Sequence, residues 1–163
     1  MRKLAALLLL ALATPAPAQE LKPWGGGATP PLELSDLQGT QHRLADYRGK
    51  VVLINFWATW CAPCRDEMPS IERLRASLKG RPFAVLAVNL AEPESRIRKF
   101  LEVVPVGFTV LLDHDTKTAK AWQAKLLPAT YIVDPDGRVR YRHLGERDWS
   151  KPEVRDAILA LLR

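Results

Sequence analysis

Two apolar runs dominate the hydrophobic pattern: residues 51–57 (Val-Val-Leu-Ile-Asn-Phe-Trp) and residues 83–89 (Phe-Ala-Val-Leu-Ala-Val-Asn). Runs of this length without alternation predict strands buried on both faces. Between them, over residues 63–78, the period lengthens, and Met68, Ile71, Leu74 and Leu78 fall on one side of a predicted helix. Strand, helix and strand in that order form a right-handed βαβ unit with parallel strands, which makes the fold class α/β. Upstream, residues 32–37 and 42–44 flank Gln38-Gly39-Thr40 and read as a hairpin with a glycine turn. Downstream, Ile97, Phe100 and Leu101 mark a helix over 94–103. Residues 104–112 form a short extended stretch interrupted by Pro105 and Gly107, and a short helix follows over 116–125. Residues 129–133 and 138–144 flank Asp134-Pro135-Asp136-Gly137 and predict an antiparallel hairpin. A capping box of Ser150 and Glu153, with Pro152 in the first turn, predicts a last helix that buries Ile158, Leu159 and Leu162.

The first 18 residues stand apart from this pattern. Arg2 and Lys3, an apolar stretch over 4–13 and then Ala16-Pro17-Ala18 are the three parts of a secretory signal, with cleavage expected after Ala18. An uncut membrane anchor is the alternative, although the apolar stretch falls short of the ~20 residues that span a bilayer. Residues 19–31 carry a Pro/Gly-rich run and read as a flexible linker, which leaves 32–163 as one domain. A chain of 163 residues with 47% hydrophobic residues supplies a single core. Without residues 1–18 it carries 22 basic against 18 acidic residues. That excess is mild and its arginines are scattered, so nucleic acid is not an expected partner.

The only two cysteines, Cys61 and Cys64, lie two residues apart where the first buried strand gives way to the helix. Free N–H groups of a first helical turn stabilise a thiolate, the nucleophilic form of cysteine. A merely stabilising disulfide is a weak alternative, because so short a loop removes little chain entropy. A zinc or copper site is a sharper one, since Cys-x-x-Cys is also half of a metal site. The three histidines, His42, His114 and His143, are isolated and read as surface or turn residues.

Residues 55–69 (Asn-Phe-Trp-Ala-Thr-Trp-Cys-Ala-Pro-Cys-Arg-Asp-Glu-Met-Pro) resemble the active-site signature of the TlpA/ResA/CcmG branch of thioredoxin-like proteins. The resemblance extends over roughly 32–163, through the early hairpin, Gly49-Lys50, the helix-strand insert and Leu127-Pro128-Ala129-Thr130. It implies a thioredoxin-like fold, with a central mixed sheet flanked by helices, and an exported thiol-disulfide oxidoreductase. Partners in this family are proteins such as apocytochrome c or copper-site proteins, and an integral-membrane thiol carrier supplies electrons. The expected location is periplasmic or otherwise extracytoplasmic. No cofactor or metal is expected beyond the redox-active cysteine pair, and a monomer is expected.

In disulfide exchange one thiolate attacks and a second thiol resolves the mixed disulfide. Cys61 is the expected attacker, and Cys64, one turn into the helix and more buried, the resolving thiol. Pro63 withdraws one N–H from the turn, so exchanging Ala62-Pro63 is expected to shift redox potential more than fold. Trp60 offers a flat apolar surface to a partner, whereas Trp57 belongs to the core. Pro128 resembles the cis-proline facing the cysteines in this fold, where Leu127 presents its backbone to the substrate. Without the resemblance, Pro128 reads as a proline at the start of a strand.

Glu67 matches an acidic position of the branch and is a candidate proton partner for Cys64. Its alternative is a solvated pair with Arg65 or Arg73. Ordinary thioredoxins carry a buried aspartate where this chain has Asn55, which passes the proton task to Glu67 or water. Pro69 is expected to bend the first helix. Arg138, Arg140 and Arg142 alternate and read as one face of a solvated edge strand. Copper delivery through the two thiols, and general disulfide oxidation or isomerisation, stay open as alternative functions.

Overall fold

All seven residues of the run Val51–Trp57 are buried in the centre of a six-stranded sheet. The computed structural model describes residues 21–163, so the signal or anchor read over 1–18 lies outside the described residues. In chain order the elements are β1 (Lys22–Pro23), β2 (Glu33–Ser35), β3 (Gln41–Arg43), a 3₁₀ turn (Leu44–Tyr47), β4 (Val51–Trp57) and α1 (Ala62–Ser77). They continue with β5 (Phe83–Leu90), α2 (Glu94–Val103), β6 (Thr109–Asp113), α3 (Lys117–Ala121), β7 (Ala129–Val133), β8 (Val139–Leu144) and α4 (Pro152–Leu161).

The main sheet has the order β1-β8-β7-β4-β5-β6. Strands β4, β5 and β6 are parallel, and β7, β8 and β1 continue the sheet antiparallel. The βαβ unit and the final hairpin are as expected, and the sheet is mixed. The early hairpin β2-β3 forms a separate two-stranded sheet.

The period of two along β4 divides the core. Val52, Ile54 and Phe56 face a cluster with Ala119 and Trp122, whereas Leu53 and Trp57 face the side covered by α1 and α4 through Met68, Ile71, Leu74, Val154 and Ile158. Asn55 has the parity of Leu53 and Trp57, so its amide enters the α1 side of the core, where it is fully buried.

Three local expectations change. The described part of the linker, residues 21–31, is docked on the domain. Within it β1 pairs with β8, Trp24 packs edge-on against Tyr131 with ring centroids 5.6 Å apart, and Trp122 donates to the Pro31 carbonyl at 3.0 Å. Aromatic burial on the sheet outweighs the freedom of a Pro/Gly-rich segment. Because β1 covers it, β8 is no edge strand. Arg138 precedes it, Arg140 pairs with Asp134 at 3.3 Å, and Arg142 lies over the Trp24 ring. The capping box is absent: Ser150 donates to Asp148 at 2.6 Å, and Lys151 is the N-cap of α4.

Candidate active site

Strand β4 ends at Trp57, and the next four residues turn the chain into α1. Cys61 is the N-cap, with extended backbone, and its sulfur accepts the N–H of Cys64 at 3.2 Å. Cys61 N–H closes the turn onto the Ala58 carbonyl at 3.2 Å. The two cysteines are joined as a disulfide, so the described state is the oxidised one. Cys61 is 5% exposed and Cys64 is fully buried, which leaves Cys61 as the sulfur nearer solvent. Pro63 occupies the first turn, where a missing N–H costs least.

Around the pair, Trp60 is 68% exposed, and Ala62 and Pro63 are also exposed. The Leu127-Pro128 peptide bond is cis; Pro128 is buried and Leu127 half-buried. Leu126, just before it, is exposed. Pro69 lies inside α1, which continues past it to Ser77.

Glu67 is one turn beyond Cys64 and 1% exposed. It makes no solvated pair: Arg65 contacts Asp66, and Arg73 reaches Asp148. Instead, its Oε1 accepts Asn55 Nδ2 at 2.7 Å, and its Oε2 accepts Trp149 Nε1 at 2.9 Å and the Arg147 N–H at 3.2 Å. Burial nevertheless dominates these donors and pushes the carboxyl up to about 7. A buried carboxyl with a raised pKa thus lies one helical turn beyond Cys64.

The carboxylate belongs to a polar row laid across the sheet. Asn55 on β4 is in register with Thr130 on β7, which is in register with His143 on β8. Asn55 Nδ2 also donates to Thr130 Oγ1 at 2.9 Å, while Asn55 Oδ1 has no partner among the described residues. His143, read from sequence as a surface or turn residue, is buried against the Trp149 ring, and burial holds its pKa below the ordinary histidine value. Ser70 completes the floor, accepting the Trp149 N–H at 3.0 Å and donating to the Glu67 carbonyl at 2.6 Å.

On the other side of the cysteine loop, Glu92 accepts both the N–H and the hydroxyl of Thr59. Sequence reasoning placed Cys61, Cys64, Glu67, Trp60 and Pro128 in one neighbourhood through the resemblance, and it missed Trp149, Thr130, His143 and Glu92. Only Thr130 carried a readable signal, the parity it shares with Ile132 in a five-residue strand. Among the described residues, no three His, Cys, Asp or Glu side chains group into a metal site. None of the described helices is long and apolar enough to cross a membrane.

Comparison with known proteins agrees with this geometry. The AhpC/TSA family matches residues 26–142. A thiol-disulfide oxidoreductase ResA of Geobacillus thermodenitrificans is 40% identical over 115 residues, 71% of this chain and 66% of the relative. Another ResA, from Bacillus cereus, is 33% identical over 122 residues, 75% of this chain and 70% of the relative. The chain therefore spans about two thirds of the length of these curated relatives.

Among solved structures, a Chlorobium tepidum protein provisionally described as a thiol:disulfide interchange protein DsbE superposes with a TM-score of 0.77 at 35% identity. The match covers 88% of this chain and 100% of that one. A secreted thiol-disulfide isomerase of Corynebacterium glutamicum gives 0.77 at 26% identity, covering 91% of this chain and 95% of that one. With its central mixed sheet, cysteine pair at the start of α1 and these relatives, the chain belongs to the AhpC/TSA family of thioredoxin-like proteins.

Proposed function

We propose that the protein is an extracytoplasmic thiol-disulfide oxidoreductase that reduces disulfides of specific partner proteins. The observation that carries this reading is the Cys61–Cys64 pair at the N-terminus of α1, with the more exposed sulfur first and a buried carboxyl near neutrality one turn beyond the second. The ResA relatives, which are thiol-disulfide oxidoreductases by name, support this reading.

In the reduced protein the Cys61 thiolate attacks one sulfur of a partner disulfide, and the other partner sulfur leaves as a thiolate and takes a proton. Cys64 then loses its proton to Glu67 and attacks the Cys61 sulfur, which expels the second partner thiolate. Two electrons have moved to the partner, and Cys61 and Cys64 are left joined as described here. A carboxyl with a pKa near the working pH suits this proton transfer, for which general base catalysis supplies roughly 10²- to 10⁴-fold. Its negative charge also disfavours a thiolate nearby, which weakens the reduced state and draws the pair toward a reducing potential.

Trp60, Ala62, Pro63 and the Leu127-Pro128 segment form the surface that receives the partner chain. Apocytochrome c or copper-site proteins are the partner classes, and a membrane thiol carrier returns the protein to the dithiol; neither step uses a bound cofactor. Export through residues 1–18 supplies the compartment, in keeping with the relative described as secreted.

Replacing the resolving thiol tests the assignment of roles. Cys64→Ser is expected to hold partners as a mixed disulfide through Cys61, released by reductant, and Cys61→Ser to hold none. Trapping by Cys61→Ser alone would overturn it. Stoichiometric copper binding without disulfide reduction would favour metal delivery by the same thiols.

A further inference from the structure

The loop that presents Trp60 and Cys61 is gripped from outside its own βαβ crossover. Glu92 lies between β5 and α2, and its side chain is only 4% exposed. Its Oε2 accepts the Thr59 N–H at 2.6 Å and Asn89 Nδ2 at 2.8 Å, and its Oε1 accepts the Thr59 hydroxyl at 2.5 Å. Arg96 approaches Oε1 at 3.8 Å from the surface. Asn89 is the register partner of Trp57, so the cluster sits where β4 and β5 both end.

The location gives the contact its meaning. Beyond Trp57 the loop leaves the β4 ladder, and the N–H of Thr59 needs another acceptor. A carboxylate this deeply buried is costly unless donors surround it. Here both oxygens are engaged, and each accepts a hydrogen bond from Thr59. Backbone and side chain of one residue are thus held together, one position before the exposed Trp60 and two before Cys61.

We propose that Glu92 is a positioning residue for disulfide exchange: it clasps Thr59 by N–H and hydroxyl at once, fixing residues 58–61 so that Trp60 and the Cys61 sulfur meet a partner disulfide in one orientation. This rests on Cys61 being the attacking sulfur. Glutamine can reproduce the grip. Its oxygen takes the place of Oε2, and its amide donates to the Thr59 hydroxyl oxygen, whose own proton turns away. Glu92→Gln therefore keeps the clasp without its charge, and Glu92→Ala removes it.

Amide hydrogen exchange of the full chain in its oxidised form, with steady-state reduction of a protein disulfide, tests the clasp. In Glu92→Ala, the Thr59 amide, bonded to Glu92, and the Cys61 amide, bonded to the Ala58 carbonyl, exchange about tenfold to a hundredfold faster, the scale of a lost hydrogen bond to a charged group, while the β4 amides keep their protection. KM rises more than kcat falls, and Glu92→Gln stays near the parent on both readouts. Unchanged exchange at Thr59, a loss spread evenly over β4, or Glu92→Gln as impaired as Glu92→Ala would overturn the proposal.

If Glu92→Ala does not fold, Thr59→Val removes the hydroxyl half of the grip and carries the test. Its amides at positions 59 and 61 exchange faster and its KM rises, by about threefold each; no change in exchange or in KM would overturn the proposal. Failure of the functional reading looks different, because a parent protein that reduces no disulfide would still show the segment-selective exchange.

Discussion

Replacing Glu67 with glutamine isolates the energetic consequence of burying an acid one helical turn beyond the cysteine pair. In the folded protein the carboxyl is raised from 4.5 to about 7, chiefly by loss of water. An acid whose folded pKa lies above its unfolded value binds its proton more tightly when folded, so stability is lost as pH climbs from about 4.5 through about 7. At about 1.4 kcal/mol per pKa unit, the full loss is on the order of 3 kcal/mol. Glutamine resembles the protonated side chain. Its oxygen can serve Trp149 Nε1 and the Arg147 N–H, two groups that only donate. Its NH₂ then faces Asn55, whose amide can turn its unpartnered Oδ1 to receive it.

Urea unfolding of oxidised protein, in which neither cysteine titrates, measures the effect. Parent and Glu67→Gln should be nearly equal at about pH 4, below the unfolded pKa, and the variant should gain up to ~3 kcal/mol by about pH 8.5. A difference independent of pH, or one that grows toward acid, would refute the assignment of the raised carboxyl to Glu67.

Other substitutions separate the remaining parts. Trp149→Phe removes one donor from the Glu67 carboxylate, so it should cost about 1.5–3 kcal/mol above the pKa and less at about pH 5, with unfolding followed at both. Trp60→Ala should leave the melting temperature within about 2 °C while lowering kcat/KM for a protein disulfide, because the ring is exposed and packs on no core. Glu67→Gln should slow turnover at least tenfold through the resolving step while sparing the first attack, so a rapid-quench assay should show the mixed disulfide accumulating.

How much of this was legible in the chain depended on the range of the contacts. The strand Val51–Trp57 and the helix Glu94–Val103 coincide with the sequence-based expectation, because a doubly buried strand and a one-sided helix each write a periodic pattern into consecutive residues. The cysteine pair was legible for the same reason, since its chemistry lies within four residues. The partners of Glu67 were not, because Trp149 reaches it across 82 residues of chain and Thr130 reaches Asn55 across 75. Residues 21–31 misled for a related reason. Proline and glycine suggest a free linker, but Trp24 and the Pro31 carbonyl find partners about a hundred positions later, Tyr131 in the sheet and Trp122 at the end of α3. Ser150 shows a local competition: its hydroxyl had the spacing of a capping box, and Asp148 two residues earlier offered a nearer acceptor.

The equilibrium redox potential of the Cys61/Cys64 pair, measured against a dithiol buffer at neutral pH, tests the central claim most directly. A reductase with a buried carboxylate behind its resolving thiol should have a potential close to that of thioredoxin, about −270 mV, and in any case below about −200 mV. A potential near about −120 mV, the range of strong disulfide oxidants, would contradict it.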